Sequence, residues 1–214
     1  MSGMRERRRA RGYPFAAAIG ATVAAALLPW PGHAQTASPP PAYFVPYPPP
    51  APGKIVDELK IGALAHDVQF LGTHVESGVD VNIEMLFTSP DLLAVIGSPR
   101  PHLGADINTS GNTSDGYFGL TWGITLIQNL FNPGDGLFAN GSLGGALQDG
   151  YQDTAPPGRK RLGSVALFRE SAELGYQVTP TISVSAILDH ISNANLAPHN
   201  AGITSAGARI GFKF

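Results

Sequence analysis

A histidine and a serine lie two residues apart near the end of the chain, in the run His190-Ile191-Ser192-Asn193. A histidine can act as the general base that takes the proton of a serine hydroxyl, which then attacks an ester carbonyl. On one face of an extended strand, such residues are roughly 6 to 7 Å apart at the backbone, a gap that an imidazole can bridge. A pair at this spacing also occurs by chance, so its location in the fold decides what it indicates.

The segment that carries the pair alternates between apolar and polar residues. Its apolar parity consists of Ile182, Val184, Ala186 and Leu188. His190 and Ser192 continue this parity, which faces lipid in a membrane barrel, so we expect both side chains to point outward. Asp189 has the opposite parity, and we expect it to lie in the interior with a structural role.

Eight alternating segments separated by turn residues predict an all-β fold, an eight-stranded antiparallel transmembrane β-barrel. The predicted strands are 57–66, 79–87, 100–108, 115–126, 136–147, 167–178, 181–193 and 203–214. The last segment favours a membrane barrel over a soluble sandwich or lipocalin-type barrel. Its apolar residues share one face up to the terminal Phe214, as in the strand by which outer-membrane barrels are recognised for assembly.

The connections between the predicted strands fix the orientation of the barrel. With a periplasmic N-terminus, the polar connections 67–78, 109–114, 148–166 and 194–202 lie outside the cell. His190 and Ser192 are then at the outer rim, at the level of the lipid headgroups. We expect the apolar stretches 92–96 and 127–131 to be short interfacial segments.

The N-terminal region predicts export. Residues 1–34 combine five arginines with an Ala-rich apolar run and small residues before position 35, which predicts a signal peptide cleaved after Ala34. Residues 35–53 are a Pro-rich linker, expected to be an extended polyproline spacer. The barrel domain is predicted over 54–214.

Composition excludes several function classes. The predicted leader holds five of the 14 basic residues and one of the 16 acidic ones, which leaves a mature net charge of −6. An exported acidic chain is a poor candidate for nucleic-acid binding. The absence of cysteine excludes a disulfide scaffold, a thiol nucleophile and Cys-based metal sites. The histidines show no metal-ligand spacing, so we expect no metal or cofactor.

The C-terminal third resembles a known family. The run 190–194, the later His199-Asn200-Ala201-Gly202 and the closing strand that ends in Phe are similar to the lipid A 3-O-deacylase (PagL) family, also described as acyloxyacyl hydrolase-like. The resemblance implies an eight-stranded outer-membrane barrel with its catalytic site on the lipid-facing surface. It also implies that Ser192 attacks an acyl ester, that His190 takes its proton and that Asn193 helps to stabilise the oxyanion.

One position departs from the family pattern. The family's acid, a Glu that orients the histidine, falls 14 residues after it, where this chain has Thr204. A hydroxyl can accept a hydrogen bond from an imidazole but cannot stabilise imidazolium as a carboxylate does. If the Thr179-Pro180 turn pairs Val178 with Ile182, Glu170 lies opposite His190 on the outward face. Our hypothesis is that Glu170 takes over the orienting role.

These observations predict a multi-pass bacterial outer-membrane serine esterase that removes an ester-linked acyl chain, at the 3-O position by resemblance, from lipid A of lipopolysaccharide. The expected partners are lipopolysaccharide, the surrounding outer-membrane lipids and the barrel assembly machinery. The sequence leaves a homodimer open. The alternatives are a non-enzymatic small barrel with a structural or adhesive role and a soluble exported barrel that binds a small ligand.

Overall fold

The computed structural model describes residues 40–46 and 53–214. The predicted signal peptide lies outside the described residues. The strands are β1 Ala42–Pro46, β2 Val56–Ala65, β3 Val79–Phe87, β4 Arg100–Asn108, β5 Asp115–Gln128, β6 Gly136–Gln148, β7 Ala166–Gln177, β8 Ile182–Ser192 and β9 Ile203–Lys213. A 3₁₀ helix spans Asp91–Ile96 between β3 and β4. None of the described helices is long and apolar enough to cross a membrane.

Strands β2 to β9 form a closed eight-stranded antiparallel barrel. Each strand pairs with the next, and β2 pairs with β9, where Ile61 lies opposite Ile210. Closure leaves no open sheet edge among these eight strands. This confirms the predicted fold, and the bounds of each predicted strand lie within two residues of those observed.

The interior of the barrel is filled by buried ion pairs. Arg169 pairs with Asp189 and lies 3.6 Å from Glu84. Arg209 lies 3.1 Å from Glu84 and 2.8 Å from Glu173. Buried charges are tolerated when each has an opposite partner. The interior position expected for Asp189 is therefore confirmed.

Large apolar side chains cover the outer wall instead. Exposed residues on the outward parity include Ile83, Leu103, Phe118, Leu143, Leu174 and Ile210. A soluble protein hides such residues in its core, whereas a barrel wall in a bilayer presents them to hydrocarbon. The alternation of the sequence thus places apolar groups outside and charges inside.

Part of the Pro-rich segment is a strand. Val45 of β1 lies opposite Thr125 of β5, in the part of β5 that extends beyond its pairing with β4 at Thr121. Proline has no backbone N–H to donate to a neighbouring strand, so a Pro-rich segment is expected at the edge of a sheet. At residues 42–46 the expected polyproline spacer is therefore an edge strand.

The 3₁₀ helix Asp91–Ile96 lies against the outer wall. Trp122, on the outward parity of β5, donates from Nε1 to the carbonyl of Ile96 over 2.8 Å. Leu92 and Val95 are 74% and 89% exposed, and no residue of this helix is buried. The helical turn thus lies outside the barrel, and the interfacial position of 92–96 stays a prediction.

Candidate active site

His190 and Ser192 lie at the C-terminal end of β8. Both are partly exposed, whereas Asp189 and Ile191 are buried, so the pair has the outward parity expected from the sequence. This end of the barrel carries the connections 66–78, 109–114, 149–165 and 193–202, and we call it the loop end. The pair therefore lies on the outer wall where the wall meets the loops.

The two side chains line one groove of about 410 Å³. The other lining residues are Leu71, Gly72, Thr73, Lys160, Asn200, Ala201 and Gly202. A Cβ atom on Gly202 would lie 3.0 Å from Cε1 of His190 and 3.1 Å from Cβ of Ser192. The imidazole and the serine thus flank the same small position, which any larger residue at 202 would crowd.

Thr204 on β9 contacts the imidazole of His190. It lies opposite His190 in the sheet register, and its Oγ1 is 2.8 Å from Nδ1 of the ring. The same hydroxyl donates its hydrogen to the carbonyl of Leu71 over 3.4 Å. Because a hydroxyl has one hydrogen, its contact with the ring is as an acceptor from Nδ1–H. Both contacts are satisfied together only in the tautomer in which Nε2 carries no hydrogen and can act as a base.

Glu170 on β7 lies on the other side of the histidine. The register places it opposite His190, which confirms the pairing expected from the short turn between β7 and β8. Its side chain is exposed, and within the described part of the chain it forms no hydrogen bond with the ring. Nδ1 is already bonded to Thr204, so the orienting role of Glu170 stays a prediction.

Asn193 holds the loop that follows β8. The side chain is buried, and its amide nitrogen donates to the carbonyls of Leu162 (2.7 Å) and His199. Both amide hydrogens are therefore used within the protein. The backbone N–H of Asn193 donates to Oδ1 of Asn200 over 2.9 Å.

Asn200 is a site residue to which the sequence assigned no role. Its oxygen accepts from Asn193, which turns its amide nitrogen to the other side, where it donates to Asn195 over 3.2 Å. An amide has two hydrogens, so one remains for a ligand in the groove that Asn200 lines. The run 199–202 marked this loop in the sequence, but nothing there distinguished one asparagine from another.

Lys160 is a second residue that the sequence did not single out. Its buried ammonium donates to the carbonyl of Gly202 over 2.6 Å and forms an ion pair with Asp67. The lysine thus joins three loops at the groove, through contacts between residues far apart in the chain.

A charged cluster supports these loops. Burial alone would lower the pKa of His66, but hydrogen bonds from its ring to Asp80 (2.8 Å) and Glu76 (3.2 Å) raise this pKa to about 9. Burial would raise the pKa of Glu76, yet its bonds to His66 and to the backbone N–H groups of Lys160 and Thr113 hold it well below its usual range. His66 is therefore a cation beside two carboxylates at neutral pH. Within residues 40–46 and 53–214, no group of three or more His, Asp and Glu side chains could hold a metal ion.

Comparison with known proteins gives a match to a family and matches to solved structures, two of which are described here. The model of a family described as lipid A 3-O-deacylase (PagL) matches residues 77–213. The structure titled "Crystal structure of the outer membrane enzyme PagL" is 16% identical, with a TM-score of 0.54, and the match covers 73% of this chain and 99% of that chain. The Yersinia pestis outer membrane protein Ail in a phospholipid bilayer nanodisc is 14% identical, with a TM-score of 0.39, over 75% and 100% of the two chains. With 16% identity and a TM-score of 0.54, the match to the PagL crystal structure shows a similar fold and nothing further. No curated protein sequence matches the chain.

Proposed function

This chain belongs to the lipid A 3-O-deacylase (PagL) family, and from that premise we propose that it is an outer-membrane serine esterase that removes the 3-O-linked acyl chain of lipid A. The observation that carries the proposal is the position of His190 and Ser192 in one groove that opens on the apolar outer wall. A hydrolase of soluble esters has no need of a site that faces lipid. An enzyme whose substrate is itself a lipid does.

The first half of the reaction acylates the enzyme. Oγ of Ser192 attacks the ester carbonyl while Nε2 of His190 takes the hydroxyl proton. The tetrahedral intermediate then collapses, the C–O bond to the sugar breaks, and the imidazolium gives its proton to the leaving sugar oxygen. The products are a free sugar hydroxyl and an acyl ester on Ser192.

The second half restores the serine. Nε2 of His190 takes a proton from a water molecule, whose oxygen attacks the acyl ester. The bond between the acyl carbon and Oγ breaks, and the proton returns from the ring to Ser192. A free fatty acid leaves the groove.

Asn193 and Asn200 together stabilise the negative charge that develops on the ester oxygen. The free amide hydrogen of Asn200 donates to this oxyanion, as in other acyl-transfer enzymes that use a side-chain amide. Asn193 contributes by holding the oxygen of Asn200, which fixes the direction of that amide. In this proposal Asn193 helps to stabilise the oxyanion indirectly, by holding Asn200.

The two neighbours of His190 divide the role of the family's acid. Thr204 fixes the tautomer of the resting ring through the 2.8 Å bond to Nδ1. Glu170, opposite the ring on β7, supplies the negative charge that favours imidazolium during proton transfer. Neither residue alone does what a directly bonded carboxylate would do.

The membrane supplies the substrate from the side. With the loop end outside the cell, the groove lies at the outer leaflet, where lipopolysaccharide is found. Lipid A therefore reaches Ser192 laterally and does not leave the bilayer. The apolar face of β9, together with the terminal Phe214 that follows the strand, is the segment that the barrel assembly machinery would recognise.

Mass spectrometry of lipid A tests the activity. Cells that express the wild type should carry lipid A that lacks one hydroxyacyl chain, and cells that express Ser192→Ala should not. The retained heat-modifiable gel mobility of the Ser192→Ala barrel is the control for folding. Identical lipid A from both strains would instead favour a non-enzymatic barrel with a structural or adhesive role.

A further inference from the structure

Residues 68–73 fold over the outer wall beside the site. Thr204 has the outward parity of Ala206 and Ala208, yet it is only 1% exposed. The segment 68–73 covers it, because Val68 donates from its backbone N–H to the carbonyl of Thr204 over 2.6 Å and Leu71 accepts from its hydroxyl. This segment therefore lies on the outward side of β9.

Asp67 holds the two ends of this segment together through hydrogen bonds and an ion pair. A single carboxylate oxygen of Asp67 accepts from the backbone N–H groups of Val75 (2.7 Å) and Glu76 (3.0 Å). The ring of His74 forms a 2.6 Å hydrogen bond to the carbonyl of Asp67, and Lys160 pairs with the other carboxylate oxygen. Residues 67 and 74–76 thus form the hydrogen-bonded base of a loop from which 68–73 project.

The projecting tip is apolar. Phe70 is 66% exposed and Leu71 is 50% exposed. Below them the outward face of β9 continues with Ala206, Ala208 and Ile210, which belong to the apolar wall. The exposed pair is therefore continuous with the surface that faces lipid in the proposed orientation.

We propose that Phe70 and Leu71 insert into the hydrocarbon of the outer leaflet, and that this contact holds the Leu71 carbonyl in the position that orients Thr204 and His190. The partner that the apolar tip contacts is lipid hydrocarbon. The first half of the proposal concerns an interaction surface, and the second half rests on the proposed function. Leu71 is in this account a positioning residue that acts through Thr204.

The coupling follows from the hydrogens of three groups. While the Leu71 carbonyl accepts the hydroxyl hydrogen of Thr204, the hydroxyl can only accept from Nδ1 of His190. If the carbonyl moves away, the hydroxyl is free to turn and donate to Nδ1. The ring would then carry its hydrogen on Nε2, the tautomer that cannot take a proton from Ser192.

Site-directed spin labelling tests the insertion. The chain has no cysteine, so Phe70→Cys and Asp153→Cys each give one labelled position in the full-length barrel in phospholipid bilayers. Asp153 is an exposed polar residue of the 149–165 connection and serves as the matched control. We expect the label at 70 to be relaxed more by oxygen, which partitions into lipid, and the label at 153 more by a water-soluble nickel chelate. Equal nickel accessibility at both positions would overturn the insertion.

Two hydrolysis rates measured in the same bilayers test the coupling. Hydrolysis of a lipid-embedded ester and of a short soluble ester is measured for the wild type, Phe70→Ser and Val165→Ser, an exposed apolar loop-end control that does not line the groove. Because both esters depend on the same His190, Phe70→Ser should lower both rates by about fivefold or more, in the range of allosteric coupling, and Val165→Ser should leave both unchanged. Hydrolysis of the soluble ester at the wild-type rate in Phe70→Ser overturns the coupling. If the wild type and Ser192→Ala are equally inactive on both esters, the proposed function has failed, and the spin-label result still decides whether the tip inserts.

Discussion

Nδ1 of His190 and Oγ1 of Thr204 lie 2.8 Å apart on neighbouring strands. The hydrogen-bond partner of the imidazole is thus a neutral hydroxyl, which in turn is bonded to the backbone of a loop. In the family pattern a carboxylate stands at this position. A hydroxyl preserves the tautomer but adds no charge, so the two functions of the acid can be separated by mutation in this protein.

The first prediction concerns the hydroxyl of Thr204. Thr204→Val keeps the shape but removes the acceptor for Nδ1–H, and we expect kcat to fall roughly 10- to 100-fold, less than for loss of a triad carboxylate. Thr204→Ser keeps the hydroxyl and should stay within about threefold of the wild type. The rates are measured on purified barrels that pass the heat-modifiability control. Equal rates for the Val and Ser variants would show that the hydroxyl does not orient the ring.

The second prediction concerns the charge of Glu170. Glu170→Gln and Glu170→Ala should both lower kcat by about tenfold with little change in KM, because the carboxylate acts on the imidazolium formed during proton transfer. Charge is the relevant property, so the isosteric Gln variant should be no better than Ala. Full activity in Glu170→Ala would remove this residue from the mechanism.

The third prediction separates the two asparagines. Asn200→Ala should lower kcat by about 10²- to 10³-fold, as expected for loss of one oxyanion donor, while its melting temperature changes little. Asn193→Ala should lower both kcat and the melting temperature, since the buried amide also holds the carbonyls of Leu162 and His199. Thermal unfolding followed by gel mobility provides the second readout. A fully active Asn200→Ala enzyme would refute the assignment of the oxyanion donor.

The fourth prediction concerns pH and the loop-end cluster. The pKa of His66 is raised from 6.5 to about 9, so its contribution to stability is fully present below about pH 6.5 and is lost as pH rises through 9. The pKa of Glu76 is lowered, so its contribution is present above pH 4.5 and is lost only as pH falls well below that value.

The His66→Gln variant isolates this effect. At pH 6 the wild type should melt at a higher temperature than the variant, and the difference should shrink by pH 10, when His66 is neutral in both folded and unfolded chains. A difference that stays constant between pH 6 and pH 10 would contradict the proposed ion pairs of His66.

The barrel could be predicted from the sequence because a period of two in hydrophobicity indicates a strand and the face that each side chain occupies. The pairing of Glu170 with His190 could also be predicted from the short turn between β7 and β8. Only one register of the two strands allows a tight turn and also places the apolar residues of both strands on the outer face. The edge strand β1 was missed because its composition resembles a spacer and its partner lies far along the chain.

The loops could not be predicted in the same way. Asn200 is aligned by Asn193, and Lys160 by Asp67, a residue 93 positions away. Such contacts depend on where the barrel brings its connections together and leave no period in the sequence. For the same reason Thr204 could be recognised as the position of a missing acid, but its bond to the Leu71 carbonyl could not.

The central claim, that Ser192 is a nucleophile activated by His190, is tested most directly by covalent labelling. The purified barrel is treated with a long-chain fluorophosphonate, which phosphonylates activated serines, and the modified peptide is identified by mass spectrometry. We predict one phosphonate on Ser192 in the wild type and none in folded His190→Ala. Labelling of a different residue, or equal labelling of Ser192 in His190→Ala, would contradict the mechanism.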